Sequence, residues 1–375
     1  MISKHNVLGL IFANMHDATL PEVVHNRSFA SVPYLGRYRM IDFDLSAMAN
    51  SGIYRVAVIT KSNYQSLMDH IGTGRPWDLS RKHQGLIILP PYALGGGIYH
   101  GRVDALSNYT DFLEHSKADY VVMADCNWVH NVDLEKVFNA HAASGADVTM
   151  VCADYEVCAA NAGQIIAVRA DSEGRVTGMR PGREIPAGRA LVSMNMMVAS
   201  HAWLMEQVAR AAAAGKTLFE QEVLAPALDT IHVGCYRWDG YCDLIYDLQS
   251  YYDSQLRLIS AGNMADLFRR SSPINTKVRD EAPVKYVHGC RVRDSLLADG
   301  CVIEGTVENS VIYRGVHVAA GSTVRNSIVM QDSVIEKGAQ LDYVIADKHV
   351  RFGEGTETAG RPDAPLYLAK HTTVE

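Results

Sequence analysis

The C-terminal part of the chain carries a short repeat that constrains its fold more than any other feature of the sequence. From about Gly289 helical periodicity stops, and apolar residues recur at roughly six-residue spacing. The clearest run comprises Val318, Val324, Val329, Ile335 and Leu341. A hexapeptide period is typical of a parallel β-helix, in which each coil stacks an aliphatic side chain on the coil below. An antiparallel sandwich would show two-residue alternation instead, so the period predicts a β-helix.

A recurring four-residue string accompanies this period. It occurs as Asp294–Leu297, Asn309–Ile312, Asn326–Val329 and Asp332–Ile335. Coils of this kind stack without limit unless they are capped, so such domains often serve as docking surfaces. We therefore expect the repeat domain to bind a partner.

Upstream of the repeat, strand-like and helix-like segments alternate. Short apolar runs, typical of buried parallel strands, are Val7–Phe12, Arg55–Thr60, Tyr120–Ala124 and Val148–Cys152. Amphipathic segments predict helices at Met40–Ala49, Val103–His115 and Val132–Ala143. This alternation predicts a doubly wound, Rossmann-like α/β domain. Ligands bind such sheets beyond the carboxyl ends of the strands, which is where Asp125 would lie.

The length of 375 residues suits two domains. A helix-like segment, Asp247–Ser260, is followed by turn chemistry at Arg269–Ile274. We therefore expect an α/β domain over residues 1–270 and the repeat domain over residues 271–375. The six-residue period ends near Gly355, which leaves a short tail.

The composition excludes several classes of function. The net charge is 35 − 42 = −7, so the chain is a poor candidate for binding nucleic acid or an anionic membrane. Its seven cysteines are odd in number and form no CxxC pair, which predicts reduced thiols in a cytoplasm. The apolar stretch Val7–Phe12 is too short for a membrane span and lacks a cleavage site, so we interpret it as a strand and not a signal peptide.

Several strings identify a family. Residues 34–43 read YLGRYRMIDF and resemble FGGKYRIIDF of the bacterial glucose-1-phosphate adenylyltransferases (ADP-glucose pyrophosphorylases). Residues 70–79 read HIGTGRPWDL and resemble that family's HIGSGxPWDL. Asn50–Ile53, Leu89–Pro91 and Ser250–Tyr252 also stand in the family's order. The resemblance covers the whole chain and implies a nucleotidyltransferase domain with a left-handed parallel β-helix behind it.

The phosphate loop departs from the family. In the family a loop with the pattern GGxGxRL is followed by the string RAKPAVP. This chain replaces the three loop glycines with Asn14, Met15 and Asp17, the loop arginine with Thr19 and the lysine of the second string with Phe29. Glycine lets backbone N–H groups approach phosphate closely, and the cations stabilise transition-state charge. We expect a degenerate loop with little catalysis, although a rebuilt loop that binds ATP in another way is the alternative.

The two aspartates that would hold magnesium in the family are retained. They are Asp125, after the strand Tyr120–Ala124, and Asp243, in the string that resembles WRDVGT. Two carboxylates meeting at one site could bind Mg²⁺. The alternative is that both are solvated loop or cap carboxylates.

The substrate pocket implied by the resemblance is also altered. Arg180 stands near the place of the FVEKP lysine that grips the sugar phosphate and is a candidate to replace it, since guanidinium binds phosphate well, but the sequence favours an exposed loop arginine. The family's GTADA string, near the adenine, reads GRVDA here: Asp104 is retained, while Arg102 and Val103 do not suit the original use.

The resemblance leaves three hypotheses of function. The first is a non-catalytic or weakly catalytic second subunit of the GlgD type, which pairs with a catalytic subunit in a heterotetramer and modulates conversion of ATP and glucose 1-phosphate to ADP-glucose and diphosphate in glycogen biosynthesis. The second is an independently active enzyme, and the third is a fused acyltransferase, which would need a longer coil. The family's effectors are sugar phosphates and related anions, and the sequence alone identifies no residue set that would bind one.

Overall fold

The computed structural model describes residues 6–82, 84–91 and 99–375. Within them the upstream part forms a nine-stranded mixed sheet with helices around it, and the downstream part forms a parallel β-helix. The helices are α1 Pro21–Val24, α2 Ile41–Asn50, α3 Gln65–Ile71, α4 Arg102–Ser107, α5 Thr110–Ser116, α6 Leu134–Ser144, α7 His201–Ala213, α8 Leu248–Arg257 and α9 Ala261–Leu267. None of these described helices is long and apolar enough to cross a membrane.

The strands of the upstream part belong to the large sheet and to two small two-stranded sheets, β2 with β3 and β7 with β13. They are β1 Val7–Phe12, β2 Pro33–Tyr34, β3 Tyr38–Arg39, β4 Arg55–Ile59, β5 Gly85–Leu89, β6 Tyr120–Asp125, β7 Trp128–His130, β8 Val148–Val157, β9 Ile166–Ala170, β10 Val176–Pro181, β11 Gly188–Ser200, β12 Val233–Trp238 and β13 Cys242–Leu244. The large sheet has the order β10-β9-β11-β6-β1-β4-β5, with β8 beside β11 and β12 beside β8.

Most of the predicted elements are confirmed, and two need correction. β1 pairs in parallel with both β4 and β6, as expected for buried central strands. β8 is parallel to β12 but antiparallel to β11, because the chain returns through the sheet in the long strand β11. The segment predicted as one helix over 103–115 is two helices, α4 and α5, separated at Asn108 and Tyr109.

The β-helix has three faces, each a ladder of parallel strands in register. The first face comprises β14 Lys285–Tyr286, β17 Val302–Ile303, β20 His317–Val318, β23 Val334–Ile335, β26 Arg351–Phe352 and β29 Thr373–Val374. The second comprises β15 Arg291–Arg293, β18 Thr306–Glu308, β21 Thr323–Arg325, β24 Gln340–Asp342 and β27 Glu357–Ala359. The third comprises β16 Leu296–Leu297, β19 Val311–Ile312, β22 Ile328–Val329, β25 Val344–Ala346 and β28 Leu366–Leu368. All five residues of the predicted apolar run are buried inside this coil. The prediction that the coil ends near Gly355 is wrong, because the turn before β28 breaks the six-residue period while the strands continue to Val374.

The two parts share one hydrophobic core. Tyr251 and Tyr252 of α8 are buried in the same cluster as Val311 and Ile328 of the coil. The pattern of the tyrosine-rich stretch Tyr246–Tyr252 predicts a helix packing face, and the burial of these two tyrosines confirms it. Strand pairing in the coil begins at Lys285, and α9 ends at Leu267, so an irregular segment joins the two parts.

Candidate functional site

The candidate active site lies at the carboxyl end of the central strands. Asp125 is the last residue of β6, and the loop that follows β1 lies beside it. Ligands of open α/β sheets bind at this edge. The cleft between Asp125, Arg102, His16 and Glu220 has a volume of about 210 Å³, below the roughly 300–1,000 Å³ of typical ligand pockets.

The degenerate phosphate loop is closed by its own side chains. The Asn14 amide donates to the Asp17 carboxylate at 2.7 Å and to the Ser62 carbonyl at 3.0 Å. The Asn14 carbonyl oxygen accepts the Lys61 backbone N–H at 2.9 Å. The other Asp17 oxygen accepts the Phe29 N–H at 2.8 Å. These side chains therefore bond to one another in the region where a glycine loop would offer free N–H groups to phosphate.

Two replaced cation positions now belong to this closed loop. Phe29 is buried and packs against the His16 ring edge to face, with the ring centres 6.1 Å apart. The Thr19 hydroxyl donates to the His16 carbonyl at 2.8 Å. Burial raises the pKa of Asp17 above its ordinary value, although Asn14 and the Phe29 N–H oppose that shift. The loop thus presents an acidic, internally bonded surface and no cation from positions 19 and 29.

A buried arginine holds Asp125. One Arg102 nitrogen lies 2.9 Å from an Asp125 oxygen, a second pairs with Glu220, and the guanidinium also donates to the Asn195 carbonyl at 2.7 Å. His16 contacts the other Asp125 oxygen at 2.8 Å. Burial alone would raise the pKa of Asp125, but Arg102 and His16 outweigh burial and lower it below its ordinary value. Asp125 is therefore a buried ionised carboxylate that lies against a cation, Arg102, which it shares with Glu220.

The Asn195 carbonyl reaches Arg102 because β11 is irregular at that point. The register of β11 against β8 shifts between Ser193 and Met196. Asn195 itself has a φ of 56°, in the left-handed region that asparagine tolerates better than most residues. The string Ser193-Met194-Asn195 resembles SMG of the family, so asparagine stands here where that string has glycine.

The second predicted metal ligand has partners of its own. Asp243 lies 2.6 Å from Arg257, and it accepts hydrogen bonds from Tyr155 at 3.1 Å and Tyr241 at 3.2 Å. Both carboxylates are buried in strands, so the alternative that they are solvated loop groups is wrong. Among the described residues no group of three His, Cys, Asp or Glu could hold a metal ion. Mg²⁺ is usually held by one or two carboxylates together with substrate phosphates and water, and the misfit here is that both carboxylates already lie against cationic or hydrogen-bonding side chains.

The two predicted substrate residues lie apart from this cluster. The Asp104 carboxylate accepts the backbone N–H of Gly101 at 2.8 Å, together with that of His100, and so closes the first turn of α4. Arg180 is exposed on β10, an edge strand of the large sheet and not a loop. It forms no ion pair with any residue that the structure describes, and it lines a cavity together with Arg169 and Arg189.

A second candidate site, which the sequence alone did not reveal, lies where the α/β part meets the coil. This basic cleft has a volume of about 390 Å³. Its cationic lining residues are Arg27, Arg37, Arg39, Lys277, Arg279, Arg314, Lys348 and Lys370. Two carboxylates, Asp69 and Asp332, lie among the described lining residues. Such an excess of cations favours a ligand with several negative charges.

Some of these cations are held in place by polar or acidic side chains beside the cleft. Arg27 is buried and lies 2.6 Å from Asp347, and its other terminal nitrogen has no hydrogen-bond partner in the part of the chain that the structure describes. Arg39 donates to the hydroxyl of Ser66 at 2.8 Å. Burial, together with Arg39 and Arg27, lowers the pKa of Lys348 to about 7. The segments that supply these residues are far apart in sequence. Arg27 precedes the string at residues 34–43 that carries the family resemblance, and Arg39 lies within it.

Two family models match the chain. The model described as Nucleotidyl transferase matches residues 22–232, and the model described as GlmU-like, C-terminal hexapeptide matches residues 282–363. The first covers more than half of the chain, and the second covers most of the coil.

Curated relatives match over nearly the whole length. Glycogen biosynthesis protein GlgD of Bacillus subtilis (strain 168) is 33% identical over 369 residues, which are 98% of this chain and 96% of that protein. A protein of the same name from Geobacillus stearothermophilus is 35% identical over 86% of this chain and 83% of its own length. Glucose-1-phosphate adenylyltransferase of Pseudothermotoga lettingae is 30% identical over 98% of this chain and 89% of its own length.

Proposed function

Because the chain belongs to the nucleotidyl transferase family that contains the GlgD proteins and the glucose-1-phosphate adenylyltransferases, we propose that it is a second subunit of a glucose-1-phosphate adenylyltransferase. In this role it pairs with a catalytic subunit in a heterotetramer. It modulates the conversion of ATP and glucose 1-phosphate to ADP-glucose and diphosphate, in glycogen biosynthesis, and contributes little or no catalysis itself.

The observation that carries this proposal is the closed phosphate loop. Catalysis of adenylyl transfer relies on positioning and on electrostatic stabilisation of phosphate charge. Asp17 brings a carboxylate to this loop, and Phe29 stands where the family has lysine. The loop's side chains bond to each other, so binding a triphosphate would require breaking these contacts as well as overcoming the acidic surface.

The basic cleft supports a regulatory role. Its eight cations face one cavity at the junction of the two parts of the chain. A sugar phosphate or a related anion would bring phosphate oxygens that arginine recognises well. A ligand held there would contact both parts at once, so its binding could change the surface that this chain presents to a paired subunit.

The first coil of the β-helix supports a docking role. Among the described strands, β14 pairs with β17 alone, so its other edge is available to a partner. Tyr286 and Val292 on this coil are exposed, at 57% and 36%. An open strand edge beside exposed apolar side chains suits a protein interface, and we assign this end of the coil to the catalytic subunit.

The test is reconstitution with a catalytic subunit. The full chain alone, supplied with ATP, Mg²⁺ and glucose 1-phosphate, should release little or no diphosphate. Mixed with the catalytic subunit, it should co-elute in size-exclusion chromatography and change the rate of ADP-glucose formation or its response to effectors. Separate elution with unchanged rates would contradict the proposal.

A loop-restored variant serves as the matched comparison. It carries Asn14→Gly, Met15→Gly, Asp17→Gly, Thr19→Arg and Phe29→Lys. Its diphosphate release measures how far the rest of the site can still support adenylyl transfer. Robust turnover by the unmodified chain alone would favour the alternative, an independently active glucose-1-phosphate adenylyltransferase, and would show that the loop binds ATP in another way.

A further inference from the structure

We propose that Arg102 and Arg257 act as internal counter-ions which occupy Asp125 and Asp243 and thereby exclude a divalent metal ion from the cleft. Nucleotidyl transferases of this family generally use Mg²⁺, and the two aspartates are the residues that the family resemblance assigns to that ion. The inference deepens the proposed non-catalytic role and rests on it for its biological meaning.

Arg102 is the stronger of the two counter-ions. It is 4% exposed, and Asp125, Glu220 and the Asn195 carbonyl surround its guanidinium. The Phe12 ring lies beside it, with 5.5 Å from the guanidinium carbon to the ring centre. Because it is the first residue of α4, its backbone is fixed by the helix start that Asp104 closes. A buried cation held by this many partners has little freedom to move aside.

A metal ion at Asp125 would meet this charge directly. One Asp125 oxygen is taken by Arg102 at 2.9 Å and the other by His16 at 2.8 Å. A divalent cation close enough to ligate either oxygen would lie near the guanidinium, where the dielectric is low and the repulsion strong. Displacing Arg102 would also break its contacts with Asp125 and with the Asn195 carbonyl inside the protein, where a lost hydrogen bond to a charged group is costly.

Arg257 pairs with Asp243 in the same way, but at a position that is more exposed to solvent. It contacts one carboxylate oxygen through two nitrogens, at 2.6 Å and 3.2 Å. Tyr241 donates to that same oxygen, and Tyr155 donates to the other. Asp243 is buried, while Arg257 is half exposed, so this pair is the weaker barrier. Each pair thus places a cation of this chain against the carboxylate, and the Asp125 oxygen beside Arg102 is held by charge alone, because it accepts no hydrogen bond from the described residues.

At position 102 this chain departs from the family's GTADA string. The residue aligned with Arg102 in the family's GTADA string is threonine, which carries no charge. Replacing Arg102 by threonine therefore removes the counter-ion and introduces the residue that the family string has at this position. It also leaves Asp125 and Glu220 without their shared cation, which should create a site of two acidic side chains.

The experiment measures binding of Mn²⁺ to the isolated full-length chain by electron paramagnetic resonance, without ATP, sugar phosphate or partner. The wild-type chain should leave the free Mn²⁺ signal unchanged. Arg102→Thr, alone and with Arg257→Thr, should bind Mn²⁺ at least roughly tenfold more tightly than wild type. Arg210→Thr is the control, because Arg210 pairs with Glu206 on the exposed face of α7, and it should behave as wild type.

A second measurement covers variants that fold poorly. Thermal unfolding of the wild-type chain should be the same with Mg²⁺ and with a chelator, whereas a resident metal ion would raise the melting temperature by mass action. Stoichiometric Mn²⁺ binding by wild type that Asp125→Asn abolishes would overturn the inference. So would a folded double variant that binds Mn²⁺ no better than wild type. Failure of subunit pairing in the reconstitution test would leave these readouts unaffected, so the two proposals fail separately.

Discussion

Lys348 stands among cations that make its own charge unfavourable. Its neighbours in the basic cleft include Arg27 and Arg39, and they act with burial to lower its pKa to about 7. Two histidines line the same cleft, and burial lowers the pKa of both His70 and His349 below the usual value of 6.5. Near neutral pH, Lys348 is therefore the lining residue whose protonation changes most.

Anion binding in the basic cleft should depend on the protonation of Lys348. Below a pH of about 7 the side chain is charged and attracts an anion, and above it the neutral amine does not. Sulfate, which stays a dianion throughout, should bind about fivefold more weakly once the pH has risen through this pKa, corresponding to roughly 1 kcal/mol for one partly exposed charge contact. Isothermal titration calorimetry over a pH series measures the effect.

Lys348→Arg provides the control for this prediction. Arginine stays charged across the whole range, so the variant should bind sulfate with an affinity that no longer falls as the pH rises through about 7. A wild-type profile as flat as that of the arginine variant would contradict the assignment to Lys348.

For single residues, the sequence shows which positions are substituted but not which residues the new side chains contact in the fold. Losses at Asn14, Asp17 and Phe29 are visible in the aligned strings. The sequence also indicates that Arg102 does not suit an adenine pocket. It does not reveal that Arg102 pairs with Glu220, because the two residues are separated by a long stretch of chain whose path depends on tertiary packing.

Among the structural elements, the coil turns depend on residues that tolerate a left-handed backbone. The first residue of each recurring string, Asp294, Asn309, Asn326 and Asp332, has a φ between 45° and 57°. Two of them also form a side-chain ladder: the Asn309 amide donates to Asn326 at 2.7 Å, and the Asn326 amide donates to Asp342 at 2.8 Å. Asparagine and aspartate therefore serve both the turn conformation and the stacking of coils.

Asn326→Ala should destabilise the coil more than Asn326→Gly. Alanine loses the ladder bonds and also strains a φ of 45°, for a total of about 2–3 kcal/mol in the free energy of unfolding. Glycine loses the same bonds without the strain, so its cost should be about 1 kcal/mol. Urea unfolding followed by circular dichroism measures both variants. An alanine variant as stable as the glycine variant would show that the left-handed turn is not under strain.

The sequence predicts elements well where a local period exists and less well where pairing is distant. The apolar period of the coil and the runs of β1, β4 and β6 lead to the observed strands. The long strand β11 was not predicted, and its antiparallel path makes the sheet mixed. Strand direction depends on how far the chain travels before it returns, which apolar patterning does not encode.

In the whole molecule, α8 joins the α/β part to the coil through buried polar contacts. The Gln255 carbonyl oxygen accepts the Tyr313 hydroxyl at 2.6 Å and the Leu35 N–H at 2.9 Å. The Tyr252 hydroxyl donates to the Asn326 carbonyl at 2.6 Å. These bonds lie within the core that both parts share, so the two parts should unfold together.

Gln255→Leu should lower the stability of the whole chain and not of one part alone. It leaves the Tyr313 hydroxyl and the Leu35 N–H buried without an acceptor, at a cost of about 2–4 kcal/mol. Differential scanning calorimetry should show one transition in wild type and one, at lower temperature, in the variant. Gln340→Leu, at an exposed position of β24, should change stability by less than about 0.5 kcal/mol. Two separate transitions in the wild-type chain would contradict a shared core.

The division into two parts was predictable, because helical periodicity gives way to the six-residue repeat near Gly289. The contacts at the junction between the parts were not predictable. The repeat locates the coil, and the tyrosine-rich stretch indicates a packing face. The basic cleft and the shared core arise only when residues from both parts meet, as Arg27 does with Asp347. A single sequence carries no local signal for contacts between such distant positions.

The closed phosphate loop also changes how the chain's stability responds to metabolism. A protein whose folded form binds a ligand at roughly 100 times its Kd gains about 2.7 kcal/mol by mass action. Here Asn14, Asp17 and Phe29 already make with one another the contacts that a nucleotide would supply. We therefore expect this subunit to keep the same resistance to unfolding and proteolysis whether ATP is abundant or scarce, while a catalytic partner becomes easier to degrade as its substrate is depleted.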